Sequence, residues 1–376
     1  MVNKEILNFT SKMLQPNILP RLEEYVEHRK TFGPIIVELD PTTACNFRCP
    51  ECISADLLNQ GGIEDERLIK LIDEFHEAGV KGIVFIGGGE PLAHKSMPEP
   101  IIRAHSLGIS IGLTTNGSLI NRFLDEIANY IQWTRVSVDA STQETFSVFR
   151  PSNIPSAFSK VISNIEALAK VKRGILGYSF LLIERKIPNG QVVTNIHELF
   201  SAAKLARTLG CDYFEFKPAV DMQHNLSPLS DHTKSEILEQ LPLLDALNTD
   251  RFQVVSPKSI SHLLTNMSTN QPKNYQTCPT LELRTVVTPK GIYPCPYKRG
   301  YEDQKIGTID RNFRDYWNSH ERLEKARSID PSISCLFYCI RHEQNLLLHL
   351  LANGHEQGID LLPYMIQTPQ SDDVFI

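Results

Sequence analysis

The sequence has 376 residues and a formal net charge of −6. This length can bury one large domain and a smaller one, and without a dense basic run a nucleic-acid-binding function has little electrostatic support. No apolar stretch approaches the length of a membrane span, and the segment from Met1 to Phe32 lacks the apolar core of a secretory signal. Eight cysteines in such a chain favour metal binding over disulfides, and therefore the reducing cytoplasm.

Segments with strand-like and helix-like patterns alternate along the chain. Residues 4–31 are predicted to form one or two polar helices. Apolar runs then predict strands, separated by helices, at 35–39, 82–86, 109–114, 134–139, 175–183 and 212–217. This alternation is typical of βαβ units and a parallel sheet, which occur in barrels and in doubly wound folds alike.

The first predicted strand is followed by a loop with three cysteines, Cys45, Cys49 and Cys52, spaced C-x3-C-x2-C. Three thiolates on one loop suit a soft metal centre. In a [4Fe–4S] cube they leave one iron without a protein ligand, and an incomplete ligand set leaves a position for chemistry. Zinc is the alternative, although zinc modules usually pair two C-x2-C units.

The second predicted strand ends in the turn Gly87-Gly88-Gly89-Glu90-Pro91, where missing Cβ atoms let backbone approach a ligand closely. Together with the cysteine loop, this turn resembles the radical S-adenosylmethionine (radical SAM) superfamily. The resemblance implies a partial (β/α)6 barrel and a [4Fe–4S] cluster whose open iron binds S-adenosylmethionine (SAM). The three glycines then line the cofactor, and Glu90 helps to hold its ammonium group. An electron donor such as flavodoxin or ferredoxin is also implied.

The resemblance extends, more weakly, to the ends of later strands. It implies further SAM contacts from Asn116 in a T-N-G turn, Ser137 and Asp139 after the fourth strand, Ile183 on the fifth strand, and Asn195 before the next helix. For Asn195 an ordinary role as a helix N-cap is an equal alternative.

Polar and apolar residues alternate in the sixth predicted strand, where Glu215 and Lys217 share one face. In a barrel one face of each strand points into the lumen, where chemistry is usually built near the strand ends. We predict that both side chains lie in the lumen, with loop capping or mutual pairing as the alternative. For Arg135 on the fourth strand the two interpretations are balanced.

The predicted catalytic residues are Lys217, at the end of this strand, and Asp221 and His224, in the segment that follows it. Arg150 is a further candidate for binding an anion, although a solvated surface arginine fits its position better. Tyr297 and Arg299 are expected near the barrel mouth if the C-terminal region covers it.

A second set of cysteines occupies the last hundred residues, at Cys278, Cys295, Cys335 and Cys339. A hairpin over 284–293 and a helix over 311–328 are predicted between them. This order resembles the SPASM and twitch modules of radical SAM enzymes, and four cysteines suit the shorter twitch module with one auxiliary [4Fe–4S] cluster. The last pair is spaced C-x3-C where C-x2-C is more common, so His342 is a substitute ligand for Cys339. Structural zinc and free cysteines are the alternatives, and the remaining Cys211 is predicted to be an inert core residue.

The predicted fold class is therefore α/β, a partial (β/α)6 TIM-like barrel with a small C-terminal auxiliary-cluster domain. The predicted divisions are an N-terminal helical extension (1–34), the barrel (35–220), a connector (221–275), a twitch-like domain (276–345), and a C-terminal helix and tail (346–376).

The leading functional hypothesis is a radical SAM oxidoreductase that cleaves SAM reductively to a 5′-deoxyadenosyl radical. The radical would then abstract hydrogen from a small polar metabolite, such as a sugar, cyclitol or nucleotide derivative, and a closed second cluster would accept an electron. The second hypothesis is a peptide-modifying enzyme making thioether, C–C or epimerised products, although Met1 to Pro34 is short for a peptide-recognition domain. A zinc-stabilised interaction protein is the third.

Overall fold

The computed structural model describes residues 12–221, 223, 225–265, 272–365 and 373–375. In these residues a nine-stranded sheet forms the frame, and a separate two-stranded sheet lies beside it. The strands are β1 (Ile36–Leu39), β2 (Gly82–Phe85), β3 (Ser110–Thr115), β4 (Trp133–Ser137), β5 (Ile175–Leu182), β6 (Glu184–Lys186), β7 (Val192–Thr194), β8 (Tyr213–Pro218), β9 (Gln253–Val255), β10 (Arg284–Thr288) and β11 (Gly291–Tyr293).

The helices of the described chain cover one side of this sheet and its ends. They are α1 (Leu19–His28), α2 (Asp65–Glu77), α3 (Pro98–Ser106), α4 (Leu124–Tyr130), α5 (Gln143–Phe149), α6 (Ala157–Val171), α7 (Leu199–Thr208), α8 (Asp231–Asp245), α9 (Ser259–Leu264), α10 (Thr280–Leu283), α11 (Phe313–Trp317), α12 (His320–Arg327), α13 (Pro331–Ser334), α14 (His342–Glu356) and α15 (Leu362–Met365). None of them is long and apolar enough to cross a bilayer.

The helix α2 shows how the sequence makes these elements. Leu68, Leu71, Ile72 and Phe75 recur at the spacing of one helix face and are all buried. Asp65 and Glu66 occupy the first turn, where negative charge is favourable.

The six strands predicted from the sequence are confirmed. β1, β2, β3, β4, β5 and β8 lie side by side in that order, and each neighbouring pair is parallel. Parallel neighbours require a crossover connection, and helices supply it here. The described sheet runs from β11 at one edge to β9 at the other without closing, so the barrel is partial.

The sheet continues beyond the predicted barrel in both directions. β9, in the predicted connector, pairs in parallel with β8, and β10, in the predicted auxiliary domain, pairs in parallel with β1. The predicted hairpin is confirmed, because β10 and β11 are antiparallel. The expected divisions at 220 and 276 therefore fall within one continuous sheet.

The predicted helix over 311–328 is wrong in one respect, because it is two helices. The first ends at Trp317, with Asn318 as its C-cap, and Ser319 caps the second by accepting a hydrogen bond from the backbone N–H of Arg322. Helices α8 and α9 lie in the predicted connector. Of the predicted helices in 4–31, the described part contains α1.

The C-terminal segments share the core of the barrel. Phe75 on α2 packs edge-on against Phe313 on α11, with ring centroids 4.7 Å apart, and both belong to the main core. A second apolar cluster joins Leu22 of α1 to Leu348 and Leu351 of α14. The chain therefore has no core that belongs to the C-terminal segments alone among its described residues.

Candidate active site

A cavity of about 920 Å³ opens at the carboxyl ends of the parallel strands. In open parallel sheets and barrels this is the end at which ligands bind. The cavity brings together the following predicted site residues: Cys45, Cys49, Cys52, Gly87, Gly88, Gly89, Glu90, Asn116, Ser137, Asp139 and Lys217. Tyr297, Arg299 and Cys339 of the C-terminal region line it as well, so that region covers the barrel mouth as predicted.

The glycine turn after β2 lies directly on the cysteine loop. The backbone N–H of Glu90 donates to the carbonyl of Ala44 at 2.8 Å. A Cβ atom on Gly89 would collide with the backbone of Thr43 and Ala44, and one on Gly87 would collide with Gly89. These glycines are therefore needed for packing of the two loops, in addition to any approach of a ligand.

Glu90 joins the turns after β2 and β3. One of its carboxylate oxygens accepts from the Thr115 hydroxyl at 2.6 Å and from the Leu92 N–H at 3.1 Å, and the other accepts from the Asn116 N–H at 2.7 Å. Burial raises the pKa of Glu90, and these hydrogen bonds oppose that effect. Three of roughly four accepting positions are thus used within the protein, and Glu90 remains on the cavity wall.

Asn116 also contacts the cysteine loop. Its amide nitrogen donates to the Asn46 side-chain oxygen at 2.8 Å, and its oxygen accepts from the hydroxyl of Ser118 at 2.7 Å. The T-N-G turn thereby fixes the position of the loop between Cys45 and Cys49.

Asp139 and Arg150 form a buried ion pair beside the cysteines. Arg150 Nε donates to Asp139 Oδ2 at 2.8 Å, and its Nη1 lies 3.7 Å from the sulfur of Cys49. Burial opposes the charge of Arg150, but Asp139 and Cys49 beside it raise its pKa. The expectation of a solvated surface arginine is wrong, because the Arg150 side chain is 12% exposed. Asp139 has a φ of 60°, the left-handed region in which Asp is one of the tolerated residues.

Asn195 and Ile183 lie behind the cavity wall and do not line the cavity. Asn195 is fully buried and donates to the carbonyls of Asp139 at 2.9 Å and Leu181 at 2.8 Å, while its oxygen accepts from the Ile183 N–H at 3.0 Å. Asn195 does occupy the N-cap position of the short 3-10 helix Ile196–Glu198, but its side chain makes no capping hydrogen bond there. The apolar side chains that do line this part of the cavity are Leu181 and Phe149, which the sequence interpretation missed.

The prediction that Glu215 and Lys217 of β8 face the lumen is confirmed, and Arg135 of β4, for which two interpretations were balanced, faces it as well; the alternative of mutual pairing is also observed. Arg135 Nη1 and Lys217 Nζ each lie 3.1 Å from the same oxygen of Glu215, and all three residues line the cavity. Burial alone would raise the pKa of Glu215, but Lys217 and Arg135 lower it to about 2. Burial and the nearby Arg135 lower the pKa of Lys217.

The other two predicted catalytic residues lie in the loop after β8. Asp221 accepts hydrogen bonds from the backbone N–H groups of Gln223 and Asn225, both at 2.9 Å, and is not among the cavity-lining residues. His224 lies outside the described residues. The catalytic role of each stays a prediction.

The first cysteine set fits an iron–sulfur cluster. Cys45, Cys49 and Cys52 are each partly accessible, lie close enough to interact electrostatically, and open into the cavity. Burial raises the pKa of Cys45, and raises that of Cys49 to about 11. Metal binding must therefore displace thiol protons here, as at other cysteine sites.

The second cysteine set also converges. Cys278, Cys295, Cys335 and Cys339 interact electrostatically in every pairwise combination. Burial raises the pKa of Cys295 and of Cys339 to about 12. His342 instead directs Nδ1 to the Tyr275 hydroxyl at 3.0 Å.

In the described parts of the chain, no group of three or more His, Cys, Asp or Glu side chains surrounds a single-ion position. A [4Fe–4S] cube is larger and binds each thiolate to a different iron, so its ligands need not converge on one point.

The sequence interpretation missed two buried carboxylates, Glu38 on β1 and Asp40 directly after it. Glu38 pairs with Arg284 at 2.7 Å and with Arg341 at 2.9 Å, and Asp40 pairs with Arg299 at 3.2 Å. The alternation of Glu38 and Asp40 with apolar residues was the available signal. Arg299 and Arg341 stand close in sequence to Cys295 and Cys339, so β1 holds the segments that carry the second cysteine set.

Residues 39–184 match the model of the radical SAM superfamily. Together with the cysteine loop and the open parallel barrel, this match shows that the chain contains a radical SAM domain. This class of domain uses a [4Fe–4S] cluster and SAM, so those two predicted cofactors are confirmed.

Individual relatives differ in how much of the chain they match. The AdoMet-dependent heme synthase of Methanosarcina barkeri is 31% identical over 144 residues, 37% of this chain and 40% of that protein. The mycofactocin maturase MftC of Mycobacterium tuberculosis is 24% identical over 331 residues, 84% of this chain and 78% of that protein. The aligned segments span 22–40% of the length of the first three curated relatives.

Streptococcus suis SuiB has a similar fold, with a TM-score of 0.60 at 13% identity, covering 81% of this chain and 70% of SuiB. At this level of identity the likeness shows the fold alone.

Proposed function

We propose that this protein is a radical SAM enzyme with a second, closed [4Fe–4S] cluster, and that it oxidises a small polar metabolite. One observation carries the proposal: Cys339 of the second set lines the same cavity as Cys45, Cys49 and Cys52. Two redox centres at one cavity suit a reaction in which substrate loses a hydrogen atom and then an electron.

Each set of cysteines fits its group by donor chemistry. Cys45, Cys49 and Cys52 would hold the first cluster, and Cys278, Cys295, Cys335 and Cys339 would hold the second. When bound, the first cluster and SAM supply a 5′-deoxyadenosyl radical that removes hydrogen from an unactivated carbon, and the second cluster supplies an acceptor for one electron.

The residues of the chain have separate tasks around these groups. A Cβ atom on Gly88 would lie 3.3 Å from the Asp40 carboxylate and 3.6 Å from the Thr43 side chain, and without that atom the backbone on the cavity wall is one that a cofactor can approach. Leu181 and Phe149 provide an apolar surface for a purine ring, and Glu90 remains a candidate acceptor for the ammonium of SAM. Lys217, whose pKa is lowered, lies on the cavity wall, where it can accept a proton from the substrate or bind a charged group of the substrate.

A peptide substrate is the second candidate. It is favoured by the similarity to MftC, a maturase, over 84% of this chain, and by the fold shared with SuiB, which has been crystallised with a precursor peptide. Transfer of deuterium into 5′-deoxyadenosine from a labelled sugar derivative, and from a labelled peptide, distinguishes the two candidates.

Iron analysis of anaerobically purified protein tests the proposal. The native protein should contain about eight irons, four for each cube. The Cys45→Ala/Cys49→Ala/Cys52→Ala variant should retain about four irons and lose SAM cleavage, and the variant with alanine at Cys278, Cys295, Cys335 and Cys339 should retain about four with SAM cleavage intact. Cys211→Ala is the matched control and should keep about eight, because Cys211 is buried away from both sets. Colourless, zinc-loaded protein would overturn the proposal.

A further inference from the structure

Positive charge is concentrated on the side of the cavity formed by β8 and β9. Lys217 ends β8, Lys258 follows the carboxyl end of β9, and Arg135 reaches the same cavity from β4. On this side Glu215 is the carboxylate that faces these cations. The pairing of β9 with β8 is what adds Lys258 to the lumen.

Glu215 cannot balance this charge alone. A single oxygen of Glu215 receives Arg135 Nη1 at 3.1 Å, Lys217 Nζ at 3.1 Å and the Ser179 hydroxyl at 3.4 Å. The Nε of Arg135 is buried and makes no hydrogen bond within the described structure. A cation whose hydrogen bonding is incomplete in a low-dielectric site is costly unless another anion arrives.

The arginines elsewhere in the cavity each have a carboxylate partner. Arg150 pairs with Asp139 at the cysteine loop, and Arg299 pairs with Asp40 beneath the glycine turn. Glu51, between two of the cysteines, pairs with Arg185 at 2.8 Å. Lys273 and Glu343 also line the cavity and contribute one charge of each sign. The half of the cavity near the first cysteine set is therefore close to balanced, and the excess positive charge lies at Arg135, Lys217 and Lys258.

We propose that the substrate carries an anionic group, a phosphate or a carboxylate, which is bound by Lys217 and Lys258 while Arg135 adds to the positive field behind them. This inference deepens the proposed function by naming the charge of the substrate, and it rests on the cavity being the substrate site. Lys217 then serves as a binding residue whose charge is matched by substrate, and Glu215 is the internal counter-charge with which the anionic group of the substrate competes.

Calorimetric titration of the reconstituted, SAM-loaded protein tests the proposal with two simple probes, inorganic phosphate and succinate. Saturable binding of phosphate indicates a phosphate-bearing substrate, and saturable binding of succinate indicates a carboxylate. Lys217→Met and the exposed Lys258→Met should each weaken binding by about tenfold or more. Lys217→Arg should preserve it. The matched control is Lys186→Met, which removes an exposed lysine from β6.

The Glu215→Gln variant tests the proposal through an expected increase, rather than a decrease, in affinity for the probe. Removing the internal carboxylate should tighten binding of the same probe, whereas a merely structural role for Glu215 predicts unchanged or weaker binding. If Lys217→Met fails to fold, Lys258→Met and Glu215→Gln still decide the question.

Three results would overturn the inference: no saturable binding of either probe, equal weakening in Lys186→Met, or weakened binding of SAM itself in Lys217→Met. The last result would show that Lys217 serves to bind SAM and not the substrate. Iron content and SAM cleavage of the native protein are measured in parallel, so a failure of the proposed function is seen separately from a failure of anion binding.

Discussion

Glu90 and Asn195 use their hydrogen-bonding groups mainly on neighbouring turns. Glu90 links the turns after β2 and β3, and Asn195 links the backbone at the end of β4 to that at the end of β5. Both residues lie at positions from which the resemblance implied direct cofactor contact. Their observed bonds instead hold the wall against which a cofactor would lie, so their loss should reduce stability as well as cofactor binding.

Replacing Asn195 with alanine should lower the free energy of unfolding by about 1–3 kcal/mol for each buried group left unsatisfied. The carbonyls of Asp139 and Leu181 and the N–H of Ile183 would lose their partner. Urea unfolding of the purified variant measures the loss. Asn129→Ala, on the exposed face of α4, is the control and should change stability by less than about 0.5 kcal/mol. Equal stability of the Asn195→Ala variant and the native protein would contradict the inferred role of Asn195 in linking the ends of β4 and β5.

Residue-level predictions succeeded where alternation along one strand carries the information. Glu215 and Lys217 could be placed in the lumen because strand side chains alternate between faces. Arg150 could not be placed, because its burial depends on Asp139, which is held in the left-handed region by contacts with β5. Sequence spacing contains no signal for that pairing.

At the scale of elements, β1 is the strand on which both ends of the chain converge. Its two neighbours are β2 and β10, and the buried carboxylates Glu38 and Asp40 lie on it and directly after it. Glu38 is 3% exposed and binds two arginines, one from β10 and one beside Cys339. Arg284 and Arg341 lower the pKa of Glu38 although burial opposes this effect.

Glu38→Gln should therefore be strongly destabilising, by about 3–5 kcal/mol, because it removes the buried carboxylate that pairs with the guanidinium groups of Arg284 and Arg341. Thermal unfolding of the reconstituted protein measures this loss. Iron analysis should show a lower iron content at the second cluster, since Arg341 lies two residues after Cys339. Glu77→Gln, at the exposed end of α2, is the matched control. An unfolding midpoint unchanged from that of the native protein would argue against this role of Glu38.

The contact between β4 and β8 predicts a particular dependence of stability on pH. The pKa of Glu215 falls from its ordinary 4.5 to about 2 in the folded protein, so its carboxylate stabilises the fold above pH 4.5. This stabilisation is lost as the pH falls from about 4.5 towards 2. The free energy of unfolding of the native protein should exceed that of the Glu215→Gln variant above pH 4.5, and this difference should shrink as the pH falls from about 4.5 towards 2. Urea unfolding of both iron-free proteins at several pH values measures the difference in the free energy of unfolding. A difference that grows on acidification would contradict the lowered pKa of Glu215.

At the scale of the whole molecule, the C-terminal region completes the barrel. β10 covers β1, α11 packs on α2, and α14 packs on α1. The sequence predicted the six strands and the hairpin because hydrophobic periodicity is local. It did not predict β9 and β10 as barrel strands, because β9 is only three residues long and β10 pairs with β1, more than two hundred residues earlier in the chain, which leaves no local pattern.

A chain truncated before residue 276 should therefore fail to fold as a stable barrel. β1 would become an exposed edge strand, and Glu38 and Asp40 would lose all three arginine partners. Soluble yield and thermal unfolding measured by circular dichroism test this expectation. An independent barrel, unfolding cooperatively near the midpoint of the native protein, would show that the C-terminal region is a separable domain.

The position of β10 beside β1 also has a consequence for synthesis on the ribosome. Domains generally form from the N-terminus as the chain emerges. The cysteine loop after β1 is made early, yet one flank of β1 stays open until residue 284 of 376 has emerged. Until then, when about three quarters of the 376 residues have been made, one edge of β1 is unpaired and Glu38 and Asp40 lack their arginine partners. Premature iron loading or aggregation would be favoured in that interval, and a chaperone that shields open strands would be of most use then.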